Sequence, residues 1–213
     1  LYSVEDGGDY FYALSNYNDA KNFKIMQFKG SDFGDISKWE VVLDERESHY
    51  IEDMLTFNEH IVIQSRFDGI PLIEILNIES KKMSQIKMTD EVYDVSLAYN
   101  NNFNERFFRY SYSSLKTSPQ IYKYDLFESK NDVIWKKQVN NFFDSNYDVK
   151  RIKTSARDKT EVPVSIVYKK GLDLQNSPML VYGYGSYGIN MDSNFRSSII
   201  PLLDSCLLYT SDA

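Results

Sequence analysis

Apolar and polar residues alternate with a period of two along most of residues 10–138, in short runs separated by turn residues. Such alternation is typical of half-buried β-strands, and pairs such as Asn18-Asp19 and Asp68-Gly69 favour turns. The pattern predicts strands at Tyr10–Asn16, Phe23–Lys29, Lys38–Leu43, Tyr50–Phe57, His60–Arg66, Pro71–Ile78, Met83–Met88, Val92–Tyr99, Arg106–Ser113, Gln120–Leu126 and Asp132–Gln138.

These strands also form repeating groups. Comparable strands lie near residues 11, 61 and 107, and this spacing of about 40–50 residues is that of a four-stranded propeller blade. We therefore predict a mostly β chain with a partial β-propeller of about three blades. Three blades cannot close a ring and protect their strand edges, so we expect the chain to be a fragment of a longer protein. An ordinary β-sandwich is the alternative.

The pattern changes after Asn140, where a polar, turn-rich stretch suggests a domain junction. Two longer strands, Val149–Ala156 and Val162–Lys169, are joined by a turn-forming tetrapeptide, and Met179–Tyr182 is a short apolar run typical of a buried strand. A hairpin that leads into a buried strand predicts the opening of an α/β domain. We place the end of a propeller in residues 1–142 and the first strands of this second domain in residues 143–204.

Composition argues against several classes of partner and of site. The abundance of Tyr (17) and Phe (13) favours strands, and the net charge of −7 without a basic block argues against nucleic acid as a partner. No apolar run is long enough to span a membrane, so we expect no membrane partner. Cys206 is the only cysteine, which excludes an internal disulfide and a cysteine cluster for metal.

Three glycines, Gly183, Gly185 and Gly188, match the pattern G-x-G-x-x-G within PMLVYGYGSYG. A dinucleotide cradle requires small residues between the glycines and a helix after them. Here Tyr184 and Tyr187 stand between the glycines, and the following residues lack helical periodicity. The cofactor interpretation is therefore disfavoured. On residue chemistry alone, the leading interpretation is a glycine-rich turn whose two tyrosines pack in the core.

The segment VYGYGSYG, with Pro178 before it and Met191-Asp192 and Asn194-Phe195 after it, resembles the first loop of the peptidase domain in the prolyl oligopeptidase family. More narrowly it resembles oligopeptidase B, the branch that cleaves after Arg and Lys. Other similar segments are TSARDKTEVPVSIVYKK (residues 154–170), RYSYSSLKTSPQIYKYDL (residues 109–126) and NYNDAKNFKIMQF (residues 16–28). The resemblance covers nearly everything from Tyr10 to Asp204, and it implies a β-propeller followed by an α/β-hydrolase domain.

The resemblance also implies roles for three residues. Tyr184 matches the tyrosine that donates its hydroxyl to the oxyanion formed when a peptide bond is attacked. Tyr187 matches an aromatic position near the substrate pocket, with simple packing as the alternative. Asp192 matches an acidic residue that, in oligopeptidase B, helps hold a basic substrate residue next to the scissile one. The family often has a second acid two residues later; Asn194 replaces it here, which weakens the expected preference for paired basic residues.

The catalytic triad is absent from this sequence. No G-x-S-x-G elbow occurs, and Ser186 lies in a G-S-Y-G context instead. His49 and His60 fall in the predicted propeller and are not credible triad bases. We therefore expect the chain alone to be inactive and the complete protein to be a serine oligopeptidase that cuts short peptides after Arg or Lys.

The resemblance further implies that the complete enzyme needs no metal or organic cofactor, uses its propeller to restrict access, and is cytoplasmic. The sequence does not fix the oligomeric state. The alternative function is a non-catalytic propeller scaffold or binding protein with a degenerate hydrolase domain.

The C-terminal residues raise a separate question. Similarity to the family continues through Asp204, whereas Ser205–Ala213 (SCLLYTSDA) departs abruptly and resembles a translated sequencing adapter. We expect residues 205–213 to be non-native and assign Cys206 no role.

Overall fold

The computed structural model describes residues 2–100, 102–187 and 190–212, and short β-strands are the predominant secondary structure among them. The strands of this described part are β1 Tyr2–Asp6, β2 Phe11–Ser15, β3 Lys24–Phe28, β4 Glu40–Leu43, β5 His49–Thr56, β6 His60–Phe67, β7 Ile70–Asn77, β8 Met83–Gln85, β9 Asp94–Leu97, β10 Phe107–Ser113, β11 Gln120–Asp125, β12 Lys130–Lys136, β13 Tyr147–Ser155, β14 Glu161–Lys169, β15 Met179–Tyr182 and β16 Leu208–Asp212. One short α-helix, α1, covers Ile200–Asp204, and 3-10 turns cover Tyr17–Asp19, Gly30–Asp32, Ile36–Lys38, Asp144–Asn146 and Ser197–Ile199.

Three consecutive four-stranded sheets account for the first two thirds of the chain. Their strand orders are β1-β2-β3-β4, β5-β6-β7-β8 and β12-β11-β10-β9, so strands adjacent in sequence are adjacent in each sheet. All pairs of the first two sheets are antiparallel. This order is that of propeller blades, and the predicted grouping by fours is confirmed. The prediction missed β1, which completes the first sheet.

The first compact unit comprises Leu1–Ile86, Ser96–Tyr110 and Lys123–Asp132. Successive side chains of a strand point to opposite faces, so β2 supplies two different clusters. Tyr12 and Leu14 pack with residues of the second sheet, whereas Ala13 packs with Trp39 and other residues of the first sheet. The buried members of the larger cluster are Tyr12, Leu14, Ile25, Ile51, Met54, Ile61, Ile63 and Leu76.

A partly buried ion pair lies within this first unit. Both guanidinium Nη atoms of Arg46 donate to the carboxylate of Glu74, at 2.7 and 2.6 Å, and Ser65 Oγ donates to the same carboxylate at 2.5 Å. Burial acts to raise the pKa of Glu74, but the hydrogen bonds from Arg46 and Ser65 outweigh it and hold that pKa below its usual range.

The second unit comprises Lys87–Val95, Ser111–Tyr122 and Val133–Ala213, and it contains a sheet of order β13-β14-β16-β15. The predicted hairpin is present, with β13 and β14 antiparallel from Tyr147↔Lys169 to Ser155↔Glu161. Strand β16 pairs antiparallel with β14 and parallel with β15. The core of this unit contains Leu115, Tyr147, Val167, Ile199, Leu203 and Tyr209. That this sheet opens an α/β-hydrolase domain stays a prediction.

Strand β15 forms where it was predicted, but the prediction that it is buried is wrong. Its four side chains are exposed, with Met179 at 55% and Val181 at 67%. The reason is its position: β15 is the last strand in the order of its sheet and pairs only with β16 among the described residues. An apolar run identifies a strand without revealing what covers its two faces.

Strand β16 lies inside the segment 205–213. The sequence pattern predicted no strand there, yet residues 208–212 occupy an interior position of the sheet. That this segment is non-native stays a prediction.

Candidate functional site

The glycine motif begins at the carboxyl end of β15. Because β15 and β16 are parallel, their carboxyl ends lie at the same edge of the sheet, and Tyr182 is the last residue of β15. Residues 183–187 and 190–196, which precede the 3-10 turn at Ser197–Ile199, have no regular secondary structure. We call residues 183–187 the glycine–tyrosine loop. Loops at the carboxyl ends of parallel strands are where α/β proteins commonly bind ligands.

The glycine–tyrosine loop does not have the geometry of a dinucleotide cradle. Such a cradle needs a helix that begins at the third glycine, but residues 190–196 contain no helix. Gly188 itself lies outside the described residues. A side chain added at Gly185 would meet nothing within 4 Å, so close packing does not require a glycine there. Tyr187 has a φ of 57°, which turns the backbone sharply without a glycine.

Both tyrosines of the glycine–tyrosine loop are exposed. Tyr184 is 43% exposed and Tyr187 is 91% exposed. The interpretation in which the two rings pack in the core therefore does not describe this loop. A phenol in this position can present its hydroxyl to a ligand, because the ring does not lie under other side chains of the described chain.

The segment that carries Asp192 is anchored by its neighbours. Ser193 is buried, and its Oγ donates to Ser165 Oγ of β14 at 2.9 Å. The Phe195 ring meets the Phe142 ring edge to face at 5.1 Å between centroids. Asp192 is half-buried and its backbone oxygen accepts a hydrogen bond from Asn194 N at 2.8 Å. Tyr184, Tyr187 and Asp192 therefore share one connection, between β15 and the turn at Ser197–Ile199.

Sequence reasoning missed Arg196. Its guanidinium lies over the ring of Tyr182, with 5.0 Å from Cζ to the ring centroid. Arg196 Nη1 donates to Tyr209 Oη at 3.2 Å, and Nε donates to Asn194 Oδ1 at 3.4 Å. No signal in the sequence links Arg196 to Tyr182, because the two residues lie in different segments and meet only through the fold.

The two histidines lie away from this loop in sequence and have local partners in the first unit. His49 begins β5, where its Nδ1 is 2.9 Å from Ser48 Oγ. His60 begins β6, is 8% exposed, and lies 3.3 Å from the side-chain nitrogen of Asn77. Burial lowers the pKa of both imidazoles below the ordinary value for histidine.

Two further properties of the described residues bear on ligands. No group of three or more His, Cys, Asp or Glu side chains among them could hold a metal ion. None of their helices is long and apolar enough to cross a membrane.

Known proteins are similar to this chain in both sequence and fold. Dipeptidyl aminopeptidase BI of Pseudoxanthomonas mexicana is 28% identical over 210 residues, which are 98% of this chain and 29% of that protein. Protease 2 of Moraxella lacunata is 26% identical over 213 residues, 99% of this chain and 30% of that protein. Oligopeptidase B from Leishmania major superposes with a TM-score of 0.90 and 26% identity, over 100% of this chain and 31% of that structure.

The chain thus spans less than a third of the length of these relatives. Residues 1–157 match the family model described as the N-terminal β-propeller domain of prolyl oligopeptidase. This match agrees with the three four-stranded sheets and confirms the partial propeller over the β-sandwich. The chain belongs to the prolyl oligopeptidase family of serine peptidases.

Proposed function

We propose that this chain is part of a serine oligopeptidase of the oligopeptidase B type, which cleaves short peptides after Arg or Lys. The observation that carries the proposal is the half-exposed Tyr184, flanked by Gly183 and Gly185 at the carboxyl end of β15, in a chain of this family. The triad serine, aspartate and histidine would come from sequence outside these 213 residues. Residues 1–142 would restrict access to the active site and so exclude folded proteins.

Tyr184 would act on the transition state. Attack on an amide carbonyl moves negative charge onto the carbonyl oxygen, and a neutral O–H donor stabilises that charge without transferring a proton. A donor that strengthens as the charge develops raises kcat rather than tightening substrate binding.

Asp192 would select the substrate. A carboxylate pairs with a guanidinium or ammonium group through charge-assisted hydrogen bonds, so it favours a basic side chain beside the scissile bond. Tyr187, 91% exposed, would add an aromatic wall to the pocket, where its ring loses water when a substrate binds. Asn194 stands where the family often has a second acid, and it therefore gives a weaker preference for paired basic residues.

The experiment is a comparison of substrates on the protein encoded by the intact gene. We expect arginyl and lysyl amides to be hydrolysed with a higher kcat/KM than prolyl amides. Asp192→Asn should lower kcat/KM for a peptide with two adjacent basic residues by about tenfold or more, the value of a charged hydrogen bond. Asp158→Asn, in the β13–β14 turn, removes the same charge elsewhere and should leave kcat/KM for this peptide unchanged. Absence of any amide hydrolysis would favour the non-catalytic scaffold instead.

A further inference from the structure

We propose that Arg196 is a positioning residue, which holds the end of β15 and thereby orients the glycine–tyrosine loop. Its importance for turnover rests on the proposed function, whereas its effect on the loop does not. The proposal assigns a role to a residue that does not itself touch the substrate.

The contact with Tyr182 is the main observation. A guanidinium within about 6 Å of a ring centroid is attracted to the negative face of the ring, and the planar group stacks on it. Arg196 Cζ lies 5.0 Å from the Tyr182 centroid, and Arg196 is half-buried. Tyr182 is 43% exposed, and the guanidinium lies over its ring.

The remaining bonds of Arg196 fix its own position. Nε donates to Asn194 Oδ1 at 3.4 Å, which ties the guanidinium to the segment that carries Asp192. Nη1 donates to Tyr209 Oη at 3.2 Å, and Tyr209 is 3% exposed within β16. Tyr209 lies in β16, the strand that pairs with β15, so this bond ties Arg196 to the same sheet as Tyr182.

The contact between Arg196 and Tyr182 can influence Tyr184 because Tyr182 and Tyr184 are close in sequence. A single residue, Gly183, separates Tyr182 from Tyr184. Glycine has the widest backbone freedom of any residue, so the strand end alone does not fix the direction of Tyr184. The contact between Arg196 and Tyr182 holds the ring of the last strand residue, from which the glycine–tyrosine loop departs. It also links the segment of Tyr184 to that of Asp192 through one side chain.

The test is the mobility of the loop in the full 213-residue chain, measured as amide order parameters at Gly183, Tyr184 and Gly185. We expect values near 0.85 in the parent chain and below about 0.6 in Arg196→Gln. Arg196→Lys keeps the charge but loses the planar stack, so it should give intermediate values. Arg157→Gln, on the exposed β13–β14 turn, removes the same charge and should match the parent.

A second variant covers the case in which Arg196→Gln does not fold. Tyr182→Leu keeps an apolar side chain at the strand end but removes the aromatic face, and it should raise loop mobility as Arg196→Gln does. Parent-like order parameters in a folded Arg196→Gln or in Tyr182→Leu would overturn the proposal.

Turnover separates this proposal from the proposed function. In the protein encoded by the intact gene, Arg196→Gln should lower kcat on an arginyl amide with little change in KM, and Arg196→Lys should restore part of the loss. If Arg196→Gln loosens the loop while Tyr184→Phe leaves turnover unchanged, the oxyanion role of Tyr184 fails and the positioning role stands. If Tyr184→Phe slows turnover and Arg196→Gln changes neither the loop nor kcat, the positioning role fails alone.

Discussion

A phenol is suited to the work proposed for Tyr184 because it donates a hydrogen bond while it stays neutral at the pH of peptide hydrolysis. Two hypotheses exist for Tyr184, a core aromatic and a hydrogen-bond donor to a ligand. The exposed fraction of the ring separates them, whereas the presence of a tyrosine fits both. A buried tyrosine after a strand would be core, whereas a ring that is 43% exposed is available to a ligand. The sequence supplied the candidate through its glycine spacing and resemblance, but exposure depends on packing that the sequence does not reveal.

The partly buried pair of Arg46 and Glu74 should stabilise the first unit. Glu74 is 4% exposed, and it is linked to Arg46 across 28 residues of sequence. Glu74→Gln leaves the partly buried guanidinium of Arg46, whose side chain is 25% exposed, without its counter-charge, so we expect the free energy of unfolding to fall by about 1–3 kcal/mol. Chemical denaturation measures this change.

Glu40→Gln serves as the control for that variant, because Glu40 is exposed and accepts a side-chain bond from Gln27 that a glutamine can also accept. Its effect should stay within about 0.5 kcal/mol. A double variant with Arg46→Met and Glu74→Leu removes both charges and should be less destabilised than Glu74→Gln. Equal stability of Glu74→Gln and Glu40→Gln would show that the pair is dispensable.

Asp90 in the second unit predicts a dependence of stability on pH. Its carboxylate accepts bonds from Tyr112 Oη and Thr117 Oγ1, each at 2.8 Å, and Lys116 Nζ lies 3.3 Å away. Burial acts to raise the pKa of Asp90, but hydrogen bonds from Ser114, Thr117 and Tyr112 and the charge of Lys116 hold it below its usual range. A lowered pKa stabilises the fold above the unfolded-state pKa of about 3.9, and this stability is lost as the pH falls through the folded-state pKa.

Asp90→Asn should therefore cost about 2–3 kcal/mol at neutral pH, and the gap to the parent should narrow as the pH falls below about 4. Denaturant midpoints between pH 7 and 2.5 measure the gap. Asp19→Asn, in an exposed turn whose left-handed φ of 59° suits asparagine, should follow the parent at every pH. A gap for Asp90→Asn that stays constant through the acid range would contradict this account.

At the scale of elements, periodicity predicted most strands within about two residues of their ends. The hairpin of β13 and β14 and the strand β15 were located because alternation and turn residues are local signals. Strand β1 was missed because YSVED is only five residues long and mostly polar. Burial of β15 was predicted wrongly because coverage is a tertiary property.

The exposed β15 predicts self-association of the 213-residue chain. A free strand edge with apolar side chains is a template for pairing with other chains. Val181 is 67% exposed, and Val181→Lys should interrupt such pairing. The variant should therefore scatter less light than the parent as the protein concentration is raised. Leu174→Lys adds the same charge in a loop outside any strand and should scatter like the parent. Unchanged scattering of Val181→Lys would show that this edge does not mediate association.

At the scale of the whole molecule, repetition was the strongest signal. Strands recurring near residues 11, 61 and 107 predicted four-stranded units, and the second strands β2, β6 and β10 lie at those positions. Repetition predicts the architecture because each repeat forms the same unit and contacts only its neighbours, so the same strand pattern recurs. The positions of Arg196 over Tyr182 and of Arg46 on Glu74 were not predictable, since they join segments that no periodic pattern connects.

The most direct measurement of the central claim is the kcat of Tyr184→Phe in the protein encoded by the intact gene. On an arginyl amide, kcat should fall about 10²–10³-fold while KM changes little, because the hydroxyl acts only on the developing oxyanion. Tyr99→Phe removes a hydroxyl from a ring that is 83% exposed in the first unit, and it should match the parent. Parent-like turnover by Tyr184→Phe would contradict the assignment of Tyr184 as the oxyanion donor.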